Sequence, residues 1–294
     1  MTYILIAIAD PAGAPISKLL VDRLRSVVKG SGARELAPGI AYEISLNMSP
    51  DPETADKIVA IAQAEKIDVN FLAAENRRKK LLIADMDSTI IEQECIDELA
   101  EYAGKRAEIS AITERAMRGG LDFEAALIER VAMLKGLPES ILQETFEKRI
   151  TLTPGAQTLV KTMNAMSAMT ALVSGGFTFF TSRVAAKTGF QYNQANELLR
   201  KDGALSGEVS MPILGRAAKQ EALERLAAEQ QIPLEQTIAV GDGANDLSML
   251  GRSGLGVAFH AKPAVAQAAH ARINYGDLTA LLYLQGIAQS EFAR

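Results

Sequence analysis

Lys80-Leu-Leu-Ile-Ala-Asp-Met-Asp-Ser-Thr-Ile90 carries the strongest structural signal in the chain. Residues 81–84 are apolar without alternation, which is typical of a central strand in a parallel sheet covered on both faces. Asp85 follows the carboxyl end of that strand, where ligands bind in open α/β sheets. Asp87 lies two residues further on, and two carboxylates this close repel each other unless a cation or a shared proton is present. The segment therefore predicts an oxygen-liganded metal such as Mg²⁺; a plain polar turn is the alternative interpretation.

Two further predicted strands end on polar or glycine-rich turns. Residues 168–173 lead into Ser174-Gly175-Gly176, and residues 237–240 lead into Gly-Asp-Gly-Ala-Asn-Asp at 241–246. The carboxyl ends of parallel strands meet at one edge of a sheet, so the three turns are expected to cluster there.

These turns supply groups that suit phosphate and a metal. Ser174 and Gly175 offer a hydroxyl and a backbone N–H to an anion, although a simple tight turn is the commoner explanation of such a sequence. Lys219, near the start of a predicted helix over 219–230, can neutralise a phosphoryl oxygen or be merely solvated. Asp242 and Asp246 supply further oxygen ligands or helix caps.

Composition narrows the class of protein. The 294 residues suit about two domains, and 48% hydrophobic and 23% charged residues are typical of a globular protein. The net charge of −5 argues against nucleic acid as a partner. Cys95 is the single cysteine, which excludes an intramolecular disulfide and a zinc site built on cysteines. Residues 3–9 are apolar but short and lack a preceding basic segment, so they do not resemble a secretory signal, and we expect a cytoplasmic protein.

Residues 1–78 are predicted to form a small N-terminal α+β domain. Their order is βαββαβ, which is typical of a ferredoxin-like unit. The predicted strands cover 3–9, 33–36, 40–46 and 67–72, and the predicted helices cover 15–28 and 52–65. This unit contains none of the acidic residues discussed above, so its expected role is packing or homodimer formation rather than ligand sensing.

Residues 79–294 are predicted to form a Rossmann-like parallel α/β core with a helical insertion. Residues 92–150 have helical periodicity broken at 119–120 and 136–138, which indicates several short helices forming a cap over the strand ends. A cap of this kind excludes water from a phosphate site. After this insertion the alternation of strands and helices resumes. The predicted elements are a helix at 178–188, a hairpin region at 191–211 with turns at 202–203 and 206–207, and strands at 255–259 and 271–274.

Taken together, the motifs resemble those of the haloacid dehalogenase superfamily of phosphohydrolases. All four of its motifs are present in order: Asp-x-Asp-x-Thr at 85–89, Ser174, Lys219, and the acidic pair at 242 and 246. The resemblance implies that Asp85 is a nucleophile and Asp87 an acid/base, with Ser174 and Lys219 completing the catalytic set. It also implies Mg²⁺ ligands from Asp85, the backbone carbonyl of Asp87, Asp242 and Asp246.

The helical insertion resembles that of the superfamily members that act on O-phospho-L-serine. This resemblance implies that Glu94 recognises the substrate amino group and Arg130 its carboxylate, while Phe123 and Met117 close the pocket. Ser174, Gly175 and Asn245 would bind or orient the phosphate. The implied reaction is Mg²⁺-dependent hydrolysis to L-serine through an aspartyl-phosphate, the last step of L-serine biosynthesis. In some relatives an ACT-type domain occupies the position of residues 1–78 and has a similar βαββαβ order.

Three alternatives remain open at this point. Another small phosphorylated alcohol, such as phosphohomoserine, would suit the same catalytic motifs. A receiver-type signalling domain also phosphorylates an aspartate beside Mg²⁺, although Asp87 favours hydrolysis over a persistent aspartyl-phosphate. A serine-sensing role for the N-terminal domain is the third.

Overall fold

The computed structural model describes residues 2–117 and 122–293. The N-terminal part is a four-stranded antiparallel sheet with strand order β2-β3-β1-β4. Its elements are β1 Tyr3–Ala9, α1 Lys18–Val27, β2 Gly32–Ala37, β3 Ala41–Leu46, α2 Pro52–Glu65 and β4 Ile67–Ala73. Both helices pack on the sheet through a core that includes Leu5, Leu24, Ile44 and Ile58. This order confirms the predicted ferredoxin-like unit.

Local capping sets where the two N-terminal helices begin. The Ser17 side chain accepts a hydrogen bond from the Leu20 backbone N–H, so α1 begins at Lys18 rather than at the predicted residue 15. Asp51 caps α2 in the same way, and Pro52 fits the first turn because no hydrogen bond is needed from that position.

The second sheet is a six-stranded parallel sheet with order β12-β11-β10-β5-β6-β7. All its neighbouring strands pair in parallel, so the predicted α/β core is confirmed. Strand β5 lies in the middle and is fully buried. The strands are β5 Leu81–Ala84, β6 Met169–Phe177, β7 Tyr192–Asn196, β8 Leu198–Lys201, β9 Ala204–Val209, β10 Thr237–Gly241, β11 Leu255–Phe259 and β12 Ala271–Ile273, of which β8 and β9 form a separate hairpin.

In the described part of residues 92–150, where a cap was predicted, the structure has four helices: α3 Cys95–Tyr102, α4 Arg106–Met117, α5 Phe123–Ala132 and α6 Ser140–Arg149. The remaining helices are α7 Ala156–Ala165, α8 Thr178–Thr188, α9 Arg216–Glu229, α10 Leu247–Arg252, α11 Pro263–Ala268 and α12 Ala280–Leu284. Among the described helices, none combines the length and the apolar character that crossing a membrane requires.

Besides the start of α1, three local predictions were wrong. Strand β6 continues through Ser174-Gly175-Gly176 to Phe177, although its pairing with β7 skips from Val173 to Phe177. The predicted turn at 206–207 lies inside β9, because Gly207 (φ +80°) forms a bulge there; the hairpin turns at 202–203 as predicted. Helix α9 begins at Arg216, three residues before the predicted start.

The N-terminal sheet is joined to the core by buried polar contacts. Asp68 of β4 accepts hydrogen bonds from three consecutive backbone N–H groups, those of Asn274, Tyr275 and Gly276, at 2.7, 3.0 and 2.8 Å. The side chain of Asn70 exchanges two hydrogen bonds with the backbone of Arg272. These contacts fix the loop after β1 beside the edge of the core sheet.

Candidate active site

The end of β5 places Asp85 at the centre of the site. Its backbone N–H donates to the Val240 carbonyl at 3.0 Å, so the neighbouring strand β10 fixes its position. The following turn bends sharply because Ser88 takes the left-handed conformation (φ 54°), and the Ile91 N–H donates to the Met86 carbonyl at 3.0 Å. This turn directs Asp87 back over the edge of the sheet.

A buried ion cluster joins three parts of the chain. The Lys219 Nζ lies 2.7 Å from Asp85 Oδ1 and 2.6 Å from Asp246 Oδ1. Burial alone would lower the pKa of Lys219, but the negative charges of Asp246 and Asp85 outweigh it and raise the pKa above its ordinary value. Asp246 Oδ2 also accepts from the Gly243 N–H at 3.1 Å. Lys219 is therefore a fixed cation at the strand ends.

The carboxylates of Asp85, Asp242 and Asp246 fit a hard divalent cation. One oxygen from each of the three lies within 4.8 Å of the others. Asp242 Oδ1 is buried and, within the described residues, has no hydrogen-bond partner. Burial, together with the charges of Asp246 and Asp85, raises the pKa of Asp242 well above its ordinary value. Three acids facing the single ammonium of Lys219 leave negative charge that a cation would balance.

Close packing explains the glycine before this acidic turn. A Cβ atom at Gly241 would lie 2.3 Å from Asp246 Cγ. Any side chain there would displace Asp246 from Lys219, so the geometry of the ion cluster depends on that glycine.

Asp87 lies where β6 approaches β5. Its Oδ1 accepts from the Cys95 N–H at 3.1 Å, and the Ser174 hydroxyl lies 3.5 Å from its Oδ2. Burial and the neighbouring charge of Asp85 raise the pKa of Asp87 to about 6. Burial and the charge of Asp246 raise the pKa of Asp85 to about 7. Both carboxyls can thus change protonation state near neutral pH.

The cap contributes one carboxyl group and one guanidinium group to the same pocket. Glu94, immediately before α3, accepts a hydrogen bond from the Ser88 hydroxyl at 2.6 Å. Burial, then the charge of Asp87, raises the pKa of Glu94 to about 8. Arg130 on α5 is 6% exposed and donates to the Ala126 carbonyl and the Thr113 hydroxyl. Among the described residues, Glu94 and Arg130 form no ion pair with each other.

These groups line one pocket of about 60 Å³ between the cap and the core. The structure brings together in it most of the predicted site residues: Asp85, Asp87, Glu94, Phe123, Arg130, Ser174, Gly175 and Asn245. Phe123 packs so closely that a Cβ at Gly175 would lie 2.6 Å from its Cζ. Three other predicted site residues do not line the pocket but lie next to Asp85, namely Lys219, Asp242 and Asp246. The side chain of Met117 lies outside the described part of the chain.

Two residues of the site were missed by sequence reasoning. The Thr113 hydroxyl accepts from Arg130 and donates to Asp97 Oδ1 at 3.0 Å, so it orients the arginine. The Asn196 amide donates to the Gly175 carbonyl at 2.9 Å and accepts from the Leu214 N–H at 2.7 Å, so it ties β6 to the segment before α9. A lone threonine on a helix and a lone asparagine on a strand have no sequence motif.

Comparison with known proteins agrees with this geometry. The chain belongs to the haloacid dehalogenase-like hydrolase family, whose model matches residues 82–251. A crystal structure of a haloacid dehalogenase family hydrolase from Salmonella enterica serovar Typhi is similar over 96% of this chain and 98% of its own, with a TM-score of 0.85 and 33% identity. This similarity includes the N-terminal domain.

Curated relatives point to one branch of the family. A phosphoserine phosphatase of Streptomyces coelicolor is 44% identical over 86% of this chain and 62% of its own length. One from a Polaromonas species is 45% identical over 70% of this chain and 89% of its own. For four of the curated relatives, including that of Streptomyces, the chain spans only 58% to 65% of their length.

Proposed function

We propose that the protein is a Mg²⁺-dependent phosphatase that hydrolyses O-phospho-L-serine to L-serine and phosphate. The observation that carries the proposal is the pairing, in one pocket, of the Asp85 cluster with a separated anion and cation, Glu94 and Arg130. An amino acid headgroup needs one of each, and an arginine can bind a carboxylate through two parallel hydrogen bonds. The similarity to curated phosphoserine phosphatases supports the same substrate.

In the proposed mechanism, Asp85 attacks the phosphorus and forms an aspartyl-phosphate. Asp85, Asp242, Asp246 and the backbone carbonyl of Asp87 would hold Mg²⁺, which supplies positive charge against the phosphate oxygens. Lys219 neutralises charge on Asp85 before attack and on the phosphoryl group afterwards. The Ser174 hydroxyl and the Gly175 N–H are proposed to donate to the remaining phosphoryl oxygens, where positioning and electrostatics provide most of the catalysis.

Asp87 is the proposed acid and base. Its pKa of about 6 leaves a protonated fraction near neutral pH, which can protonate the departing serine oxygen. The carboxylate that results can then take a proton from the water that hydrolyses the aspartyl-phosphate. This return step distinguishes a phosphatase from a protein that stores the phosphate. The Asn245 side chain lies on the same pocket wall and is proposed to orient the phosphate.

The test is phosphate release by the purified protein, with Mg²⁺ and with a chelator. The panel contains L-phosphoserine, D-phosphoserine, phosphothreonine, phosphohomoserine and a plain aryl phosphate. We expect a strong preference for L-phosphoserine that disappears on chelation. A flat profile would refute the serine-specific pocket, and a preference for phosphohomoserine would identify the competing substrate. A stable phosphorylated protein without phosphate release would indicate signalling.

Three wider expectations remain predictions. They are a place at the end of L-serine biosynthesis, a cytoplasmic location, and a homodimer formed through the N-terminal domain. Sedimentation of the full chain would test the dimer directly.

A further inference from the structure

A second cavity lies between the N-terminal domain and the core and has a volume of about 560 Å³. Its walls include Asp10 and Ala12 from the loop after β1, and Asp277 from the segment after β12. The core contributes Asp242, which the pocket under the cap does not contact. The two spaces share no lining residue, so the predicted metal ligands are reached from two sides: Asp85 from the pocket under the cap, and Asp242 from the cavity between the domains.

The charge of this cavity favours a cation. Four acids, at positions 10, 92, 242 and 277, face one lysine and one histidine, Lys262 and His260. The histidine is engaged, because its Nε2 lies 2.9 Å from the Gly276 carbonyl, to which it donates.

The acids at the mouth of the cavity are held in place by local hydrogen bonds. Asp10 Oδ1 accepts from the Ala12 N–H at 2.9 Å, and Asp277 Oδ1 accepts from the Thr279 N–H at 2.8 Å. Burial raises the pKa of Asp277, and the negative charge of Asp10 raises it further. The cavity is thus lined by one fixed carboxylate from each domain.

An unpartnered acid lies at the inner end. Asp242 is 3% exposed, and its buried Oδ1 has no hydrogen-bond partner among the described residues. A buried carboxylate oxygen without a partner is costly, and a bound cation would satisfy it.

The pocket under the cap and the cavity between the domains differ in size, which matters for the route of a hydrated ion. A small divalent cation such as Mg²⁺ dehydrates reluctantly and keeps several of its waters, so it needs a wide passage. The pocket under the cap offers about 60 Å³, whereas the cavity between the domains offers about 560 Å³. The larger space can therefore hold more of the ion's hydration shell than the smaller one.

We propose that the cavity between the domains is the passage by which a hydrated divalent cation reaches Asp242, separately from the substrate. Asp10 attracts the ion at the mouth, so the N-terminal domain contributes to metal loading. This inference rests on the proposed metal dependence. In this role, the N-terminal domain contributes to the enzyme without having to bind an effector molecule.

The experiment measures Mn²⁺ exchange by the full chain without reference to turnover. Equilibrium dialysis gives the Kd, stopped-flow transfer of Mn²⁺ to a chelating dye gives the dissociation rate, and their ratio gives the association rate. We expect Asp10→Lys to slow association by about tenfold at low ionic strength, with the difference shrinking in high salt because steering is screened. The matched control, Asp56→Lys, makes the same charge change on the exposed face of α2 and should have little effect.

A pair of blocking variants distinguishes the routes without a change of charge. Ala12→Trp, in the cavity between the domains, should slow association and dissociation together and leave the Kd unchanged. Ala116→Trp, in the pocket under the cap, should leave both rates as in the wild type. Slower exchange in the Ala116 variant alone would show that the ion passes through the substrate pocket. Wild-type exchange rates in both the Asp10 and the Ala12 variant would refute the proposed passage without refuting the metal site. If the wild-type protein binds no Mn²⁺, the metal site itself is refuted.

Discussion

Two groups of ionisable side chains in this molecule are organised in opposite ways. In the core, Lys219 bridges Asp85 and Asp246 at 2.7 and 2.6 Å, so these charges satisfy one another before any substrate arrives. In the cap, Glu94 and Arg130 line the same pocket, but each bonds to neutral partners, a serine hydroxyl for one and a carbonyl and a threonine hydroxyl for the other.

This difference between the core and the cap corresponds to the proposed division between catalysis and substrate recognition. Ion pairs built by the fold are already in position and need no rearrangement during the reaction. A buried charge without an opposite partner is costly, and a ligand that supplies the partner recovers that cost on binding. Under the proposed function, the core cluster acts on any phosphate ester, and the cap pair selects a zwitterionic one.

Removing the proposed nucleophile should have the largest effect. Asp85→Asn is expected to lower phosphate release by about 10⁴-fold or more for every substrate, because the attacking carboxylate is lost. Lys219 keeps its contact with Asp246, so thermal unfolding should show a folded protein. Substantial turnover by the folded variant would show that Asp85 is not the nucleophile.

Loss of the cap cation should affect one substrate class. Arg130→Ala is expected to raise the KM for phosphoserine by about 10²-fold, the value of one or two charge-assisted hydrogen bonds. The KM for an aryl phosphate should change far less. Arg149→Ala is the matched control, since this cap arginine pairs with Glu98 outside the pocket. Equal effects on both substrates would mean that Arg130 does not bind the carboxylate.

The cap anion should make substrate binding depend on pH. With a pKa of about 8, Glu94 is mostly protonated at pH 7 and becomes the carboxylate that an ammonium group needs as the pH rises. We therefore expect the KM for phosphoserine to fall by about tenfold between roughly pH 6.5 and 8.5. Glu94→Gln should abolish this dependence, and an aryl phosphate should not show it. A KM that rises over this range would contradict the assignment.

The smallest effect should come from the residue that orients the arginine. Thr113→Val removes the hydroxyl that accepts from Arg130 and should raise the KM for phosphoserine a few-fold while leaving kcat nearly unchanged. The control is Thr145→Val, the same substitution at a buried cap threonine whose hydroxyl lacks a partner among the described residues. If both variants behave alike, Thr113 has only a packing role.

The core was more predictable from sequence than the cap for a physical reason. Each core signal is local, since an apolar run such as residues 81–84 ends directly on the acid that it positions. The rule that parallel strands end at one edge then brings three distant turns together. Ser206 and Gly207 show the limit of local signals, because the same dipeptide suits a turn or a bulge, and its pairing with β8 decides between them.

Contacts between elements could not be predicted in this way. Thr113 and Arg130 lie on different helices, and nothing in the periodicity of either helix indicates that they meet. The cavity beside Asp242 depends on how Asp68 and Asn70 dock the two domains, which is a property of the assembled fold. Glu94 and Arg130 were identified through the family resemblance, because on their own they look like ordinary surface charges.

The most direct test compares two substrates in the double variant Glu94→Gln/Arg130→Ala. The ratio of kcat/KM for L-phosphoserine to kcat/KM for an aryl phosphate measures recognition separately from chemistry. We predict that this ratio collapses toward one while hydrolysis of the aryl phosphate persists, because the Asp85 cluster is intact. Loss of both activities to the same extent would contradict the division between a catalytic core and a selective cap.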